Sequence, residues 1–170
     1  MVDRMDGYIA RYIAILLVSL LPTVEVRGSI PLAFALFMDD ASIVFALAIA
    51  VLGNLLIAPI ALSILGWLDT FILNSRKAPA LLKTLYLKIL GYARSKASRI
   101  NRYSLLALTV FVAVPLPGTG AWAGSLIAYI LGIDRRRALL AIELGVLIAS
   151  ILVISASILG VELIKRIFML

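Results

Sequence analysis

Glu25 and Arg27 stand two residues apart in the stretch LPTVEVRGSIP (21–31), which interrupts a long apolar run. A carboxylate can take up and release a proton, and a guanidinium can hold an anion through charge-assisted hydrogen bonds. Charges at membrane depth are costly and mark function by default. The competing use is structural: in unwound backbone, residues two apart can face the same way and brace the fold as an ion pair. Both uses can hold in different conformations. Gly28 and Ser29 follow, and Pro22 and Pro31 bound the stretch. A second candidate place is VPLPGTGAW (114–122), with Pro115, Pro117, Gly118, Thr119, Gly120 and Trp122. Its chemistry would be that of exposed backbone rather than of charged side chains. Glu143 is the third, either a coupling carboxylate or the ion-pair partner of Arg136 or Arg137.

Several chemistries are excluded. The chain has no His and no Cys, which removes imidazole catalysis, thiolate metal sites and disulfides. No paired acidic metal motif is present. No catalytic residue, metal or cofactor is therefore expected, and Ser29 alone does not make an enzyme.

The elements that must position these residues are membrane helices. The 170 residues are 64% hydrophobic, with a mean hydropathy of +1.13, well beyond a soluble domain of this size. The opening MVDRMDGYIARYIAILL lacks a small-residue cleavage site and is expected to stay in the mature chain. The net charge is +7, and the eight basic residues from Arg76 to Arg102 have no acidic residue among them. Arg135, Arg136 and Arg137 form a second basic cluster. Beside membrane segments such clusters mark the cytoplasmic side and meet anionic lipid heads, so nucleic acid is not the expected partner.

Four apolar segments follow one another: Tyr8 to Met38, interrupted; Ile43 to Leu68, continuous; Tyr103 to Ile133, interrupted; Ala138 to Val161, continuous. Between the two pairs, Leu82, Leu85, Ile89 and Tyr92 recur at helical spacing among basic residues. This predicts an amphipathic helix in the cytoplasmic interface. Putting both basic clusters on one side makes the third segment enter and leave there. The first segment then enters and leaves on the other side. The expected fold is an all-α integral membrane domain spanning 1–170, an inverted repeat of re-entrant helical hairpin plus transmembrane helix. Repeat 1 covers about 8–68, the basic amphipathic linker about 69–102 and repeat 2 about 103–168.

Proline explains the interruptions. Pro115 and Pro117 lack N–H donors and push their predecessors out of the helical region. Pro117-Gly118 suits a tight turn, and Thr119 is expected to cap a helix starting near Gly120 or Ala121. By the same plan Pro22 closes a half-helix, Ser29 caps the next and Pro31 lies in its first turn. Pro22, Pro31, Pro115 and Pro117 are thus the expected hairpin breaks. Each tip would present a helix N-terminus with free N–H groups, suited to an anion. Asn54 is expected to hydrogen-bond across helices. Gly53, Gly120 and Gly124 are expected to allow close approach, and Trp122 to pack on the opposite hairpin or line a substrate path.

PTVEVRGSIP (22–31) together with FVAVPLPGTGAWAG (111–124) resembles the motif pair of the small multidrug export family, a distant relative of the DedA membrane proteins. The resemblance implies a transporter built from two facing hairpins, with a lipid carrier or phospholipid as substrate. It places Glu25 and Arg27 on the charged motif, and Pro115, Pro117, Gly118, Thr119, Gly120 and Trp122 on the second hairpin. The second hairpin here carries no charge, a departure from the DedA pattern.

The expected function is a multi-pass secondary transporter of the cell membrane. Arg27, Gly28, Ser29, Gly118, Thr119, Gly120 and Trp122 would bind an amphipathic anion such as a lipid-linked phosphate. Glu25 and Glu143 would carry coupling protons. A cationic drug exporter and a channel or lipid-organising protein are the alternatives. Membrane lipids, the substrate and protons or another coupling ion are the expected partners, and a homodimer is left open.

Overall fold

The computed structural model describes residues 2–74, 83–84, 86–88, 90–91 and 102–168. Their regular secondary structure is all helical: α1 Val2–Leu20, α2 Glu25–Leu36, α3 Asp40–Leu55, α4 Ile57–Asn74, α5 Arg102–Ala113, α6 Ala121–Leu131 and α7 Arg135–Phe168.

Each break has a local cause. Leu21 precedes Pro22 and is pushed out of the helical region, so α1 stops at Leu20 and the chain turns at once. The turn is held by Val24 N–H and Glu25 N–H donating to the Leu21 carbonyl. Thr23 and Glu25 sit at φ 74° and 51°, in the left-handed region that side chains disfavour. At the second break Pro117 and Gly118 occupy the two central positions of a turn closed by Thr119 N–H on Leu116 O. Gly118 has φ 82°, the value a type II turn requires at its third residue.

Two expected caps are corrected. Ser29 and Pro31 both lie inside α2, so Ser29 caps nothing and Pro31 is no break. Ser29 donates back to the Glu25 carbonyl at 2.9 Å. Pro31 removes a single rung, the bond to the Arg27 carbonyl, while Val26, Ile30 and Ala33 on the same helix are fully buried and hold it together. Thr119 does not cap α6 either; its hydroxyl turns back to the carbonyls of Val114 and Leu116.

The segment read as continuous over 43–68 is divided at Leu56. Pro59 has no N–H for the Leu55 carbonyl, and the ladder is carried past it by Leu56 N–H on Leu52 O and Ile60 N–H on Leu56 O. Asp39 starts α3 by accepting from Ser42 N–H at 2.8 Å. Gly132, left-handed at φ 69° and ψ 32°, ends α6 in a Schellman motif, with Ile133 N–H on Ala128 O.

Two apolar clusters form the interior. One joins α1, α2, α3 and the middle of α7 around Ile15, Ile30 and Phe37. The other joins α4, α5, α6 and the first part of α7 around Ile57, Val112 and Ile142. Helix α7 is common to both, so it ties the two halves together. Close contacts need small residues: a Cβ on Gly53 would stand 2.3 Å from Ser19 Oγ, and one on Gly124 would stand 2.6 Å from Val112 Cγ2.

The stretches Asp40–Leu73 and Arg135–Leu163 are long and apolar enough to cross a membrane. Large apolar side chains such as Leu140, Leu144, Ile151 and Leu159 face outward along α7. The expected amphipathic periodicity of the linker, Leu82, Leu85, Ile89 and Tyr92, lies outside the described residues. Where described, the linker is helical. Its Tyr86 hydroxyl donates to Asp69 Oδ1 at 3.0 Å and shares a hydrogen bond with the Tyr129 hydroxyl. Burial, with both partners adding to it, pushes the Tyr86 phenol above its ordinary pKa.

Candidate functional site: a clasp between two helix breaks

The two breaks meet, and their meeting point is built from Glu25 and Arg27. Glu25 is the first residue of α2 and is 2% exposed. Its carboxylate accepts from Ala121 N–H at 3.0 Å, from Trp122 N–H at 3.3 Å and from Arg27 Nη1 at 3.0 Å. The N-terminus of α6 is therefore capped from the other half of the chain. Helix N-termini carry free N–H groups and a partial positive charge, so a carboxylate is favoured there.

Arg27 serves the opposite pole. Its Nη2 donates to Val112 O at 3.2 Å, Val114 O at 3.1 Å and Thr119 Oγ1 at 3.0 Å. Val112 lies in the last turn of α5 and Val114 just past it, where carbonyls lack partners within the helix. One ion pair thus satisfies both broken ends of the second interruption: the carboxylate takes the helix start and the guanidinium takes the helix end. Each charge meets the end of the helix dipole that attracts it.

The contact also runs the other way. Trp122 Nε1 donates to Leu20 O at 3.1 Å, closing the end of α1. Asn54, fully buried, donates to Ser19 O at 3.0 Å, as expected of an interhelical bond. Gly120 is required by space. A Cβ there would stand 1.7 Å from Glu25 Oε2.

Of the residues singled out in the sequence, Glu25, Arg27, Thr119, Gly120 and Trp122 come together. Gly28 lies in α2, where a Cβ would meet Val24 Cγ1 at 2.3 Å. Ser29 touches the site only through the Glu25 carbonyl. Gly118 and the prolines Pro22, Pro115 and Pro117 are exposed on the outer edges of the breaks. Glu143 is half-buried on α7 and, among the described residues, forms no ion pair with Arg136 or Arg137. The Ala121 and Trp122 N–H groups at the start of α6 are not free, contrary to expectation, because Glu25 occupies them. The carbonyls of Leu20, Val112 and Val114 were missed, since nothing in a residue's type reports that its carbonyl will be taken by a distant side chain. Buried Arg27 Nε has no partner among the described residues. No group of acidic residues among them could hold a metal ion.

Beside the clasp, Trp122 lines a groove of about 290 Å³ with Ala61, Ile64, Leu65, Ala123 and Leu126. Its walls are apolar, and it runs between α4 and α6.

A family model described as "Putative small multi-drug export protein" matches residues 25–152. Searches of curated proteins and of solved structures returned no significant match. The match begins at Glu25, just after the first break, and takes in both clasp charges and the whole second break. With the apolar helices, it points to a membrane protein and to a transporter rather than an enzyme.

Proposed function

The chain belongs to the small multi-drug export protein family, and on that premise we propose that it is a secondary transporter of the cell membrane whose substrate is an amphipathic anion. The observation that carries this reading is the clasp. A buried ion pair from one helix break holds both ends of the other break. Irregular backbone at membrane depth persists only where protein or trapped water covers it, and the clasp supplies partners to the inner groups of the second break, the Ala121 and Trp122 N–H and the Val112 and Val114 carbonyls.

In this reading both breaks are tips of re-entrant hairpins. Helices α5 and α6 have 12 and 11 residues, about 16–18 Å of rise, against a hydrocarbon core of about 30 Å. The apolar part of α1, Gly7–Leu20, is also too short to cross. The order hairpin, spanning stretch, linker, hairpin, spanning stretch supports an inverted repeat, with the basic linker on the cytoplasmic side. Alternating access would then open and close the clasp.

The substrate class follows from charge. Arg27 and, once the Glu25 carboxylate is displaced, the start of α6 favour an anion, and the apolar groove at Trp122 suits a hydrocarbon tail reaching the site from the bilayer. A lipid-linked phosphate or a phospholipid has both parts. Glu25 carries the coupling proton. A cationic drug would find the Glu25 carboxylate already supplied with two N–H donors and a guanidinium. Purified chain in liposomes tests the reading, offered an anionic lipid phosphate or a lipophilic cation, with and without a pH gradient. Uptake of the anion that responds to the gradient supports it. Uptake of the cation alone would replace it with drug export, and a voltage-driven current without coupling would replace it with a channel.

A further inference from the structure

The clasp already contains an anion, and that anion is part of the protein. Glu25 Oε1 and Oε2 sit where a bound carboxylate or phosphate oxygen would sit, on the N–H groups of Ala121 and Trp122 and against the Arg27 guanidinium. The side chain is held there at a cost in backbone geometry, since Glu25 adopts φ 51°, a region unfavourable for any residue with a Cβ. Two further observations bear on what the place can hold. Gly120 leaves a cradle that the carboxylate fills. Arg27 Nε is buried beside it with no partner among the described residues, a donor more than the tethered carboxylate uses.

We infer that Glu25 is a tethered competitor in an anion site, and that a substrate anion binds there only when the Glu25 carboxylate is protonated or withdrawn. This rests on the transporter reading and adds its coupling rule. The charged group in contact with Glu25 among the described residues is Arg27; the facing groups of α6 are backbone N–H. The occupied clasp holds one carboxylate and one guanidinium and is neutral overall. Adding an external anion beside an ionised Glu25 would place two negative charges on one guanidinium in a buried site, which like-charge repulsion opposes. If Glu25 takes a proton from the aqueous phase, its O–H no longer competes for the N–H groups, and a monoanion restores neutrality. When the anion leaves, the proton leaves and the carboxylate returns. One proton therefore accompanies one monoanion. A dianion would leave the clasp with an excess negative charge, so carboxylates and phosphodiesters are the matching class.

The experiment uses the purified full chain in neutral detergent, with Trp67→Phe so that Trp122 reports binding by fluorescence. Acetate and dimethyl phosphate are the probes, with sulfate as the dianion and choline as the cation. Glu25→Gly removes the competitor and suits the positive φ, because glycine takes that conformation freely. At neutral pH it should bind both monoanions at least about tenfold more tightly than the parent, equivalent to about 1.4 kcal/mol. Parent affinity should rise as pH falls, and the Glu25→Gly profile should be flat. Sulfate and choline should bind more weakly than acetate to Glu25→Gly, and Arg27→Ala in that background should remove the gain. Equal affinity of parent and Glu25→Gly across pH would overturn the inference, as would full binding without Arg27. Should Glu25→Gly not fold, the parent's pH dependence decides alone: monoanion binding that does not strengthen on acidification would overturn it. Parallel titrations at high ionic strength, which screens the anionic surface potential, in phosphatidylcholine nanodiscs with and without phosphatidylglycerol separate a lipid headgroup from a free ion, because there only a headgroup ligand would suppress dimethyl phosphate binding. Failure here is distinct from failure of the transporter reading. Anion binding that obeys these rules without any uptake in liposomes would keep the competitor and remove the transporter. Gradient-driven uptake unchanged in Glu25→Gly would do the reverse.

Discussion

Gly120→Ala tests the clasp with a single methyl group. An ideal Cβ at this position stands 1.7 Å from Glu25 Oε2 and 2.4 Å from Oε1, far inside contact distance. The backbone of Gly120 poses no obstacle, since φ −83° and ψ −160° are open to alanine. The carboxylate is the end of a flexible side chain and must move. Moving takes it off the N–H groups of Ala121 and Trp122, while contact with Arg27 can be kept. A hydrogen bond to a charged group contributes about 1.5–3 kcal/mol. Losing one to two of them, with partial compensation by relaxation, gives an expected loss of about 3 kcal/mol. Gly118→Ala is the control. Nothing lies within 4 Å of its added Cβ, but φ is 82°, so the cost is backbone strain of about 1–2 kcal/mol. Denaturant unfolding in detergent, followed by Trp122 fluorescence in the Trp67→Phe background, measures both. The decisive comparison is a double-mutant cycle. In a Glu25→Gly background the methyl group meets no carboxylate, and Gly120→Ala should cost less than about 1 kcal/mol. An equal cost in both backgrounds would refute the cap, and so would a Gly120→Ala variant as stable as the parent.

Three further outcomes are expected. Thr23→Gly removes the positive-φ penalty at an exposed turn position (φ 74°) and should raise stability by about 1 kcal/mol, read in the same unfolding assay; a loss would show that the Thr23 side chain contributes something the geometry does not reveal. Ser42 holds the Asp39 carboxyl below its ordinary pKa, through its hydroxyl first and its N–H second. A lowered folded-state pKa stabilises above the unfolded value and loses that contribution as pH falls through the folded one, so the stability gap between the parent and Asp39→Asn should close on acidification below about pH 4; a gap that widens there would contradict the cap. Single cysteines can be placed without background, since the chain has none. Asp39→Cys and Ser75→Cys should label from opposite sides of the membrane, and Ser98→Cys and Asp134→Cys from the same side; labelling of Asp134→Cys opposite Ser98→Cys would make α5 and α6 a spanning unit and end the re-entrant reading.

The sequence by itself determined where the chain stops being helical at Pro22 and at Pro115 to Gly118. A missing N–H and a glycine at positive φ act within a few residues, whatever surrounds them. It also determined that the elements are apolar helices, because composition and segment length set that limit before any packing. It pointed to Glu25 and Arg27 as the charged pair that needs a reason. Pro31 shows where local rules lose. Removing one backbone bond ends a helix only if nothing else holds the next turn, and the burial of Val26, Ile30 and Ala33 holds it. The same tertiary contest displaced Thr119 from the start of α6. Thr119 was the nearest residue able to cap, but Glu25 brings a full charge from 96 residues away, and a carboxylate on two N–H groups outweighs one hydroxyl. Only the folded chain decided which carbonyls Arg27 would take, because their need for donors arises from helix ends on another part of the chain and leaves no mark on residue type.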